Sequence, residues 1–189
     1  MIGLSAGLVG CGDAARTPRP SPSLITLDFT PRPSATVAAS PTPGRSAATW
    51  PLGWDEDFCS MFTQAVDAQQ LLVDVQKDIA DGNDHDAQLL ADELVQSANG
   101  SRDAVGSIPD WSDGNAAVVA VASLMDLASR AGTEYQAWFT DGKRASLRRA
   151  KDLRLQNGAA VPDVNTSLAA LAEEGLSCQD TPLVLEAPG

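Results

Sequence analysis

Residues 118–139 read VVAVASLMDLASRAGTEYQAWF. The apolar side chains of this stretch recur every three or four positions, which places them on one broad face of an α-helix: Val118, Val119, Ala122, Leu124, Met125, Ala128, Ala131, Tyr135, Trp138 and Phe139. A helix with such a wide apolar face is stable only when other elements cover it. We therefore expect this helix to lie centrally in an all-α domain.

Helical periodicity continues on the N-terminal side of this stretch. A first helix is predicted over residues 55–80, because an acidic first turn suits the positive end of the helix dipole and Asp81-Gly82-Asn83 ends the pattern. Asp84 is placed to cap a second helix, and Pro109 ends that helix.

Helix-breaking residues divide the sequence on the C-terminal side. Asp141-Gly142 interrupts the helical pattern, and a short basic helix is predicted over residues 143–156, closed by Asn157-Gly158. A last helix starts at Pro162 or Asp163, so the sequence contains five helical pieces. Residues 179–189 include two prolines and are predicted to form a loose tail.

Composition is consistent with one helical domain and argues against several functions. The chain has 189 residues, of which 43% are hydrophobic but only 5% are aromatic, a balance that suits helices better than a β-sandwich. Its formal net charge of −12 opposes binding to nucleic acid. The sequence has one histidine, His85, and neither a Cys-x-x-Cys pair nor a phosphate-binding glycine loop. We therefore predict no cofactor and no bound metal.

The N-terminal stretch Leu8-Val9-Gly10-Cys11 places a small residue directly before a cysteine, after an apolar run. It resembles the lipobox of bacterial lipoproteins. The resemblance implies a signal peptide, a lipid on Cys11 and a location at the cell membrane, on its extracytoplasmic face. Residues 1–10, the remnant of that signal peptide, contain no Lys or Arg, although signal peptides normally start with positive charge. Either the true start lies upstream or the match is accidental.

Residues 11–50 lie between this cysteine and the first helix and are rich in Pro, Ser and Thr. The repeated prolines prevent helix formation, so we predict a lipid-anchored, disordered tether. At up to ~3.1 Å per residue, such a tether extends on the order of 100 Å. The helical domain is predicted to occupy residues 51–178.

If Cys11 carries the lipid, Cys59 and Cys178 remain. An even remainder in an exported protein favours a disulfide, and closing so long a loop stabilises by ~4 to 5 kcal/mol in the chain-entropy model. The alternative is two unrelated buried thiols. Antiparallel helices bring these two cysteines together only when the number of helices is even. We therefore expect an up-down bundle of four main arms, one of them broken near Gly142.

The predicted basic helix carries six of the nine cationic side chains of the helical domain: Lys143, Arg144, Arg148, Arg149, Lys151 and Arg154. One interpretation is an anion-binding patch for a phosphate-rich wall polymer or a lipid headgroup. In the other, the helix offsets the repulsion among acidic side chains of the first two helices: Asp67, Asp74, Asp78, Asp92 and Asp103.

Three further features have two interpretations each. Trp111, in the loop before the central helix, either contacts a sugar or a partner or covers the end of the bundle. The acidic loop 81–86 either binds calcium or caps a helix, and its glycine does not fit the EF-hand pattern. Four glutamates either include the general acid of a glycan-cleaving enzyme or are solvated: Glu93, Glu134, Glu173 and Glu174.

The sequence thus predicts a cell-surface lipoprotein whose helical bundle is a non-enzymatic binding or interaction module of the cell envelope. Its partner would be the membrane through the lipid, with an envelope protein or an anionic wall polymer as the bound species. The alternatives are a carboxylate-dependent enzyme acting on cell-wall glycans, and a structural spacer or sensor-associated domain.

Overall fold

The computed structural model describes residues 50–179 and 181–188. Residues 1–49, which contain Cys11 and nearly all of the predicted tether, lie outside the described residues. The described part is an all-α bundle of four long helices with no strand among its elements, which confirms the predicted fold class. The helices are α1 (Trp54–Asp81), α2 (Asp84–Ala104), α3 (Ser112–Asp141) and α4 (Arg144–Glu173).

Tight turns connect the helices at one end of the bundle. Gly82 follows α1 with φ 79° and Gly142 follows α3 with φ 65°, a left-handed conformation that suits glycine because it lacks a Cβ atom. The chain therefore reverses within two residues, and α1 packs on α2, α2 on α3 and α3 on α4. The longer connection from α2 to α3, with a 3-10 turn over Val105–Ser107, lies at the opposite end.

The core is built mainly from the apolar faces of the helices, with small residues where two helices approach closely. A Cβ atom at Gly132 of α3 would lie 2.7 Å from Val95 Cγ2 of α2. On the other face of α2, the Ser97 and Ser101 hydroxyls donate hydrogen bonds to backbone carbonyls of α1, at 3.0 and 3.1 Å. Glycine and serine thus let the backbones of α1, α2 and α3 come close together.

The predicted break between the fourth and fifth helical pieces is wrong, because α4 is continuous through Asn157, Gly158 and Pro162. The amide of the buried Asn157 donates a hydrogen bond to the Leu124 carbonyl of α3 at 3.0 Å. Several apolar residues of α4 are buried on both sides of the proline: Leu153, Val161, Val164, Leu168 and Leu171. This packing along α3 outweighs the local cost of about 3 kcal/mol for a proline inside a helix.

The predicted broken arm near Gly142 is also wrong. Gly142 ends α3, and α4 begins two residues later as a complete antiparallel arm. The bundle nevertheless has the even number of helices that the cysteines require. The Cys59–Cys178 disulfide is present with a Cα–Cα distance of 5.3 Å, as predicted.

The described part of the C-terminal segment, residues 181–188, packs on the bundle, so the prediction of a loose tail is wrong for these residues. The amide of Asn165 on α4 binds Leu185 twice, accepting from its backbone N–H at 2.8 Å and donating to its carbonyl at 2.9 Å. The Leu185 side chain is 3% exposed. Thr181 lies beside Thr63 of α1, with 3.5 Å between the hydroxyl oxygens. The segment therefore runs along the seam between α1 and α4.

Among the described residues, α3 is the one helix with the length and hydropathy to cross a membrane, with a mean hydropathy of 1.2 over its most apolar window. Half of that window is buried inside the bundle. A buried central helix of a bundle has the same length and hydropathy, so this finding agrees with the predicted central position of α3.

Candidate functional site

The basic residues singled out in the sequence fall into two groups on α4. Arg144, Arg148 and Lys151 are exposed, and among the described residues no carboxylate lies within ion-pair distance of any of them. Their spacing of four and three residues puts them on one face of the helix, with axial separations of about 6 and 4.5 Å. We call these three residues the basic stripe.

The other three cations are engaged within the protein. Lys143 Nζ lies 3.0 Å from Asp141 Oδ2. Arg149 Nε donates a hydrogen bond to Glu134 Oε1 on α3 at 2.8 Å, and Arg149 Nη2 lies at ion-pair distance from Glu134 Oε2, also at 2.8 Å. Arg154, which is 9% exposed, donates to the Pro188 carbonyl at 3.3 Å. Three of the six cations therefore fit the interpretation in which the basic helix is an internal charge partner, and the three residues of the basic stripe do not.

Hydrogen bonds stabilise the ionised forms of Asp141 and Arg149. The backbone N–H of Lys143 donates to Asp141 Oδ1 at 2.8 Å, and this bond, followed by the Lys143 side chain, lowers the pKa of Asp141. The hydrogen bond to Glu134 raises the pKa of Arg149. The Asp141–Lys143 pair lies at the turn between α3 and α4, at the distal end of the bundle, the end with the Gly82 and Gly142 turns. The Glu134–Arg149 pair joins α3 to α4 nearby.

The acidic partners predicted for the basic helix are wrong, since among the described residues none of those five carboxylates forms an ion pair. Asp74 instead accepts from Gln70 of its own helix at 3.1 Å, and Asp92 accepts from Gln136 at 2.8 Å. The reason is topological. Because α4 packs mainly on α3, its inward-turned cations meet α3 carboxylates rather than those of α1 and α2.

Trp111 is part of an aromatic cluster at the proximal end of the bundle, where the described chain begins. Its ring centroid lies 4.7 Å from that of Trp54 and 6.0 Å from that of Trp50, in edge-to-face arrangements. A Cβ atom at Gly114 would lie 2.3 Å from both Trp111 and Trp54. The half-buried indole thus packs on the bundle end, as the second of its two predicted roles requires, and its role as a partner contact stays a prediction.

Distance separates this cluster from the basic stripe. Helix α1 has 28 residues and therefore spans about 42 Å between the two ends of the bundle. The chain enters at Trp50, beside the cluster, whereas Arg144 follows the Gly142 turn at the distal end. The stripe therefore lies toward the opposite end of the described bundle from Trp50.

The distal end also contains a cleft that the sequence did not reveal. Trp138 and Phe139 are only half-buried, and with His85 at the start of α2 they line an open cleft of about 350 Å³. Sequence reasoning assigned both aromatic residues to the core because their helical spacing matches that of the buried residues. The spacing of residues within one helix does not show whether a neighbouring helix extends far enough to cover them.

The acidic loop 81–86 connects α1 to α2. Asn83, not Asp84, is the N-cap residue of α2, and its side chain makes no capping hydrogen bond, so the predicted Asp84 cap is wrong. Asp84 and Asp86 lie in the first turn, where their charge favours the helix dipole. Within the described part of the chain, no group of three or more His, Cys, Asp or Glu side chains is arranged to hold a metal ion.

The four glutamates considered as general acids lie apart. Glu134 pairs with Arg149 and lines an open groove of about 390 Å³ between α3 and α4. Glu93 is exposed on α2, while Glu173 and Glu174 are exposed at the end of α4.

Comparison with protein-family models, curated proteins and solved structures finds no match to this chain.

Proposed function

We propose that this protein is a lipid-anchored component of the cell envelope whose helical bundle is a non-enzymatic binding module, and that its basic stripe contacts an anionic wall polymer. One observation carries the proposal. Arg144, Arg148 and Lys151 are exposed without carboxylate partners in the described structure, on a chain with a formal net charge of −12.

Electrostatics favour a local and short-range contact. The negative charge of the whole chain repels a polyanion at long range, but screening limits that repulsion to about 8–10 Å at physiological salt. Close to the stripe, three neighbouring cations on one helical face attract phosphate or carboxylate groups.

The compartment is supported by chemistry at the other end of the bundle. The Cys59–Cys178 disulfide is of the kind that persists in oxidising compartments, which agrees with export. Together with the lipobox-like stretch ending at Cys11, it favours an extracytoplasmic location. Replacing Cys11 by Ser is expected to release the protein from membrane fractions, as measured by immunoblotting of separated fractions. Membrane retention unchanged by this substitution would contradict the lipid anchor.

Charge reversal tests the binding surface. The triple variant Arg144→Glu, Arg148→Glu, Lys151→Glu is expected to weaken binding of inorganic polyphosphate by about tenfold or more. A control of equal net charge reverses the three domain cations outside the α4 segment, Lys77, Arg102 and Arg130. Because Arg102 and Arg130 pair with Asp126 at 3.5 and 3.6 Å, circular dichroism first establishes that this variant is folded. Titration calorimetry on the full chain at two salt concentrations measures both variants.

The two variants separate a local contact from a general charge effect. Retained binding in the control together with loss in the stripe variant supports the proposal. Equal loss in both variants would show that only net charge matters. No polyphosphate binding by the unmodified chain would rule out the stripe as a polyanion site.

The enzyme alternative has less support. Of the four candidate glutamates, Glu134 lies in a groove, but its carboxylate accepts a hydrogen bond from Arg149 Nε and forms an ion pair with Arg149 Nη2, both at 2.8 Å. A paired carboxylate of this kind positions helices and is poorly placed to donate a proton to a substrate.

A further inference from the structure

A second cleft lies between α1 and the C-terminal segment, on a different part of the molecule from the basic stripe. It has a volume of about 420 Å³, within the usual range of small-molecule sites. Its lining is predominantly apolar, with Val66 and Val73 on α1 and Val184 and Leu185 on the C-terminal segment. Val73 and Val184, on opposite walls, are 37% and 50% exposed. We call this the α1 cleft.

One polar side chain in the lining is buried without a partner. Gln69 on α1 is 4% exposed, and neither its amide nitrogen nor its amide oxygen has a hydrogen-bond partner in the described part of the chain. Each buried, unsatisfied polar atom costs about 1–3 kcal/mol. Native structures keep few such groups, and a group of this kind beside a cleft calls for a bound species that completes its hydrogen bonds.

A second side-chain amide in the same seam, by contrast, has hydrogen-bond partners for both its oxygen and its nitrogen. Asn165 on α4 uses its oxygen and its nitrogen together, accepting from the Leu185 N–H and donating to the Leu185 carbonyl. The C-terminal wall is therefore held in place at Leu185, and the disulfide at Cys178 fixes its start. A wall fixed at two points needs little ordering when a ligand binds.

We infer that the α1 cleft is a binding site for a compact apolar molecule that carries a hydrogen-bond donor and acceptor side by side, such as a lactam. The Gln69 amide nitrogen donates to the ligand carbonyl, and the Gln69 oxygen accepts from the adjacent ligand N–H. The cis amide of a lactam presents both groups on one edge, whereas a trans peptide unit presents them on opposite edges. The valine side chains cover the apolar remainder of the ligand.

The first test uses the cyclic dipeptide cyclo(Leu-Pro), which has one cis-amide N–H, and its N-methyl derivative, which lacks that donor. For roughly 15 non-hydrogen atoms, a dissociation constant on the order of 1 mM or below is expected. Two-dimensional ¹H–¹⁵N NMR on the full chain follows the Gln69 side-chain amide and the Val184 and Leu185 backbone amides. The parent compound is expected to shift these signals, and the N-methyl derivative to bind about tenfold more weakly.

The second test replaces the orphan amide. Gln69→Leu is expected to weaken cyclo(Leu-Pro) binding by about tenfold or more while raising the melting temperature of the ligand-free chain, because it removes unsatisfied polar atoms. Gln96→Leu, the same change at an exposed position of α2, is expected to leave binding unchanged.

Several results would overturn the inference. These are no shift of the α1-cleft signals with cyclo(Leu-Pro), equal binding of the N-methyl derivative, and full binding by Gln69→Leu. A lower melting temperature of Gln69→Leu with unaltered ligand binding would show that an ordered water satisfies the amide. If Gln69→Leu does not fold, the comparison of the two compounds on the unmodified chain decides. None of these results bears on the basic stripe, which is tested separately with polyphosphate.

Discussion

At the scale of single residues, Tyr135 is the buried group with the clearest electrostatic signature. Its side chain is fully buried, and its hydroxyl has no hydrogen-bond partner among the described residues. Burial raises its pKa because the phenolate is poorly solvated there, and the positive charge of Arg154 opposes part of that rise. The chain has one tyrosine, so absorbance near 295 nm reports on this residue alone.

Alkaline titration is therefore expected to show a single phenol with a pKa above the ordinary value of about 10. The unfolded chain releases this proton near pH 10 while the folded chain retains it, so the contribution of Tyr135 to stability is complete below pH 10 and is lost as the pH rises through the folded pKa. Arg154→Gln is expected to raise the pKa further, because an opposing positive charge is removed. A midpoint at or below 10 in the native protein would contradict the burial argument.

At the scale of the elements, two glycines inside helices illustrate opposite packing situations. A Cβ atom at Gly158 of α4 would meet Pro188 at 3.5 Å or more, an ordinary contact distance. A Cβ atom at Gly132 of α3 would lie 2.7 Å from Val95 Cγ2 and 3.2 Å from two Leu94 atoms. Replacement of either glycine by alanine therefore has a similar effect on helix propensity, but the effect on packing differs between the two positions.

Gly158→Ala is expected to raise the free energy of unfolding by about 0.5–1 kcal/mol, because alanine restricts the unfolded chain without strain in α4. Gly132→Ala is expected to lower it by about 1–3 kcal/mol, because α2 and α3 must separate or repack. Urea denaturation followed by circular dichroism measures both. Equal midpoints for the two variants would show that the α2–α3 contact is not as close as the structure has it.

At the scale of the whole molecule, the disulfide connects the first helix to the segment that follows the last one. Cys59 and Cys178 are separated by 119 residues, so the bond closes nearly the whole described chain into a loop. It also fixes the start of the C-terminal segment, which covers the seam between α1 and α4. The bond is therefore expected to affect global stability more than helix content.

The double variant Cys59→Ala, Cys178→Ala is expected to lose about 4–5 kcal/mol of stability in the chain-entropy model. Guanidinium denaturation measures this loss, and circular dichroism without denaturant is expected to remain helical. A loss below about 1 kcal/mol would indicate that the unfolded chain is already compact. Chemical reduction of the unmodified chain provides an independent comparison.

The sequence by itself determined the features that depend on local periodicity and on residue counts. The predicted first helix, residues 55–80, differs by one residue at each end from Trp54–Asp81. The all-α class, the turns at Gly82 and Gly142 as interruptions, and the Cys59–Cys178 pair followed from the same signals. The helices and turns are encoded in neighbouring side chains, whereas the cysteine pair followed from the number of cysteines and the expected export of the protein.

Only the tertiary structure decided which helix faces meet and which chain segments are covered. Pro162 is locally a helix breaker, but packing of α4 along α3 adds the contacts of many buried side chains and exceeds that local cost. Arg148 and Arg154 look alike in sequence, yet one is exposed and the other is buried against the C-terminal segment. Gln69 appears in sequence as an ordinary helix residue, and only the folded structure shows that its amide is buried beside the α1 cleft. Burial is a property of pairs of surfaces, and the partner surface of each helix lies far away along the chain.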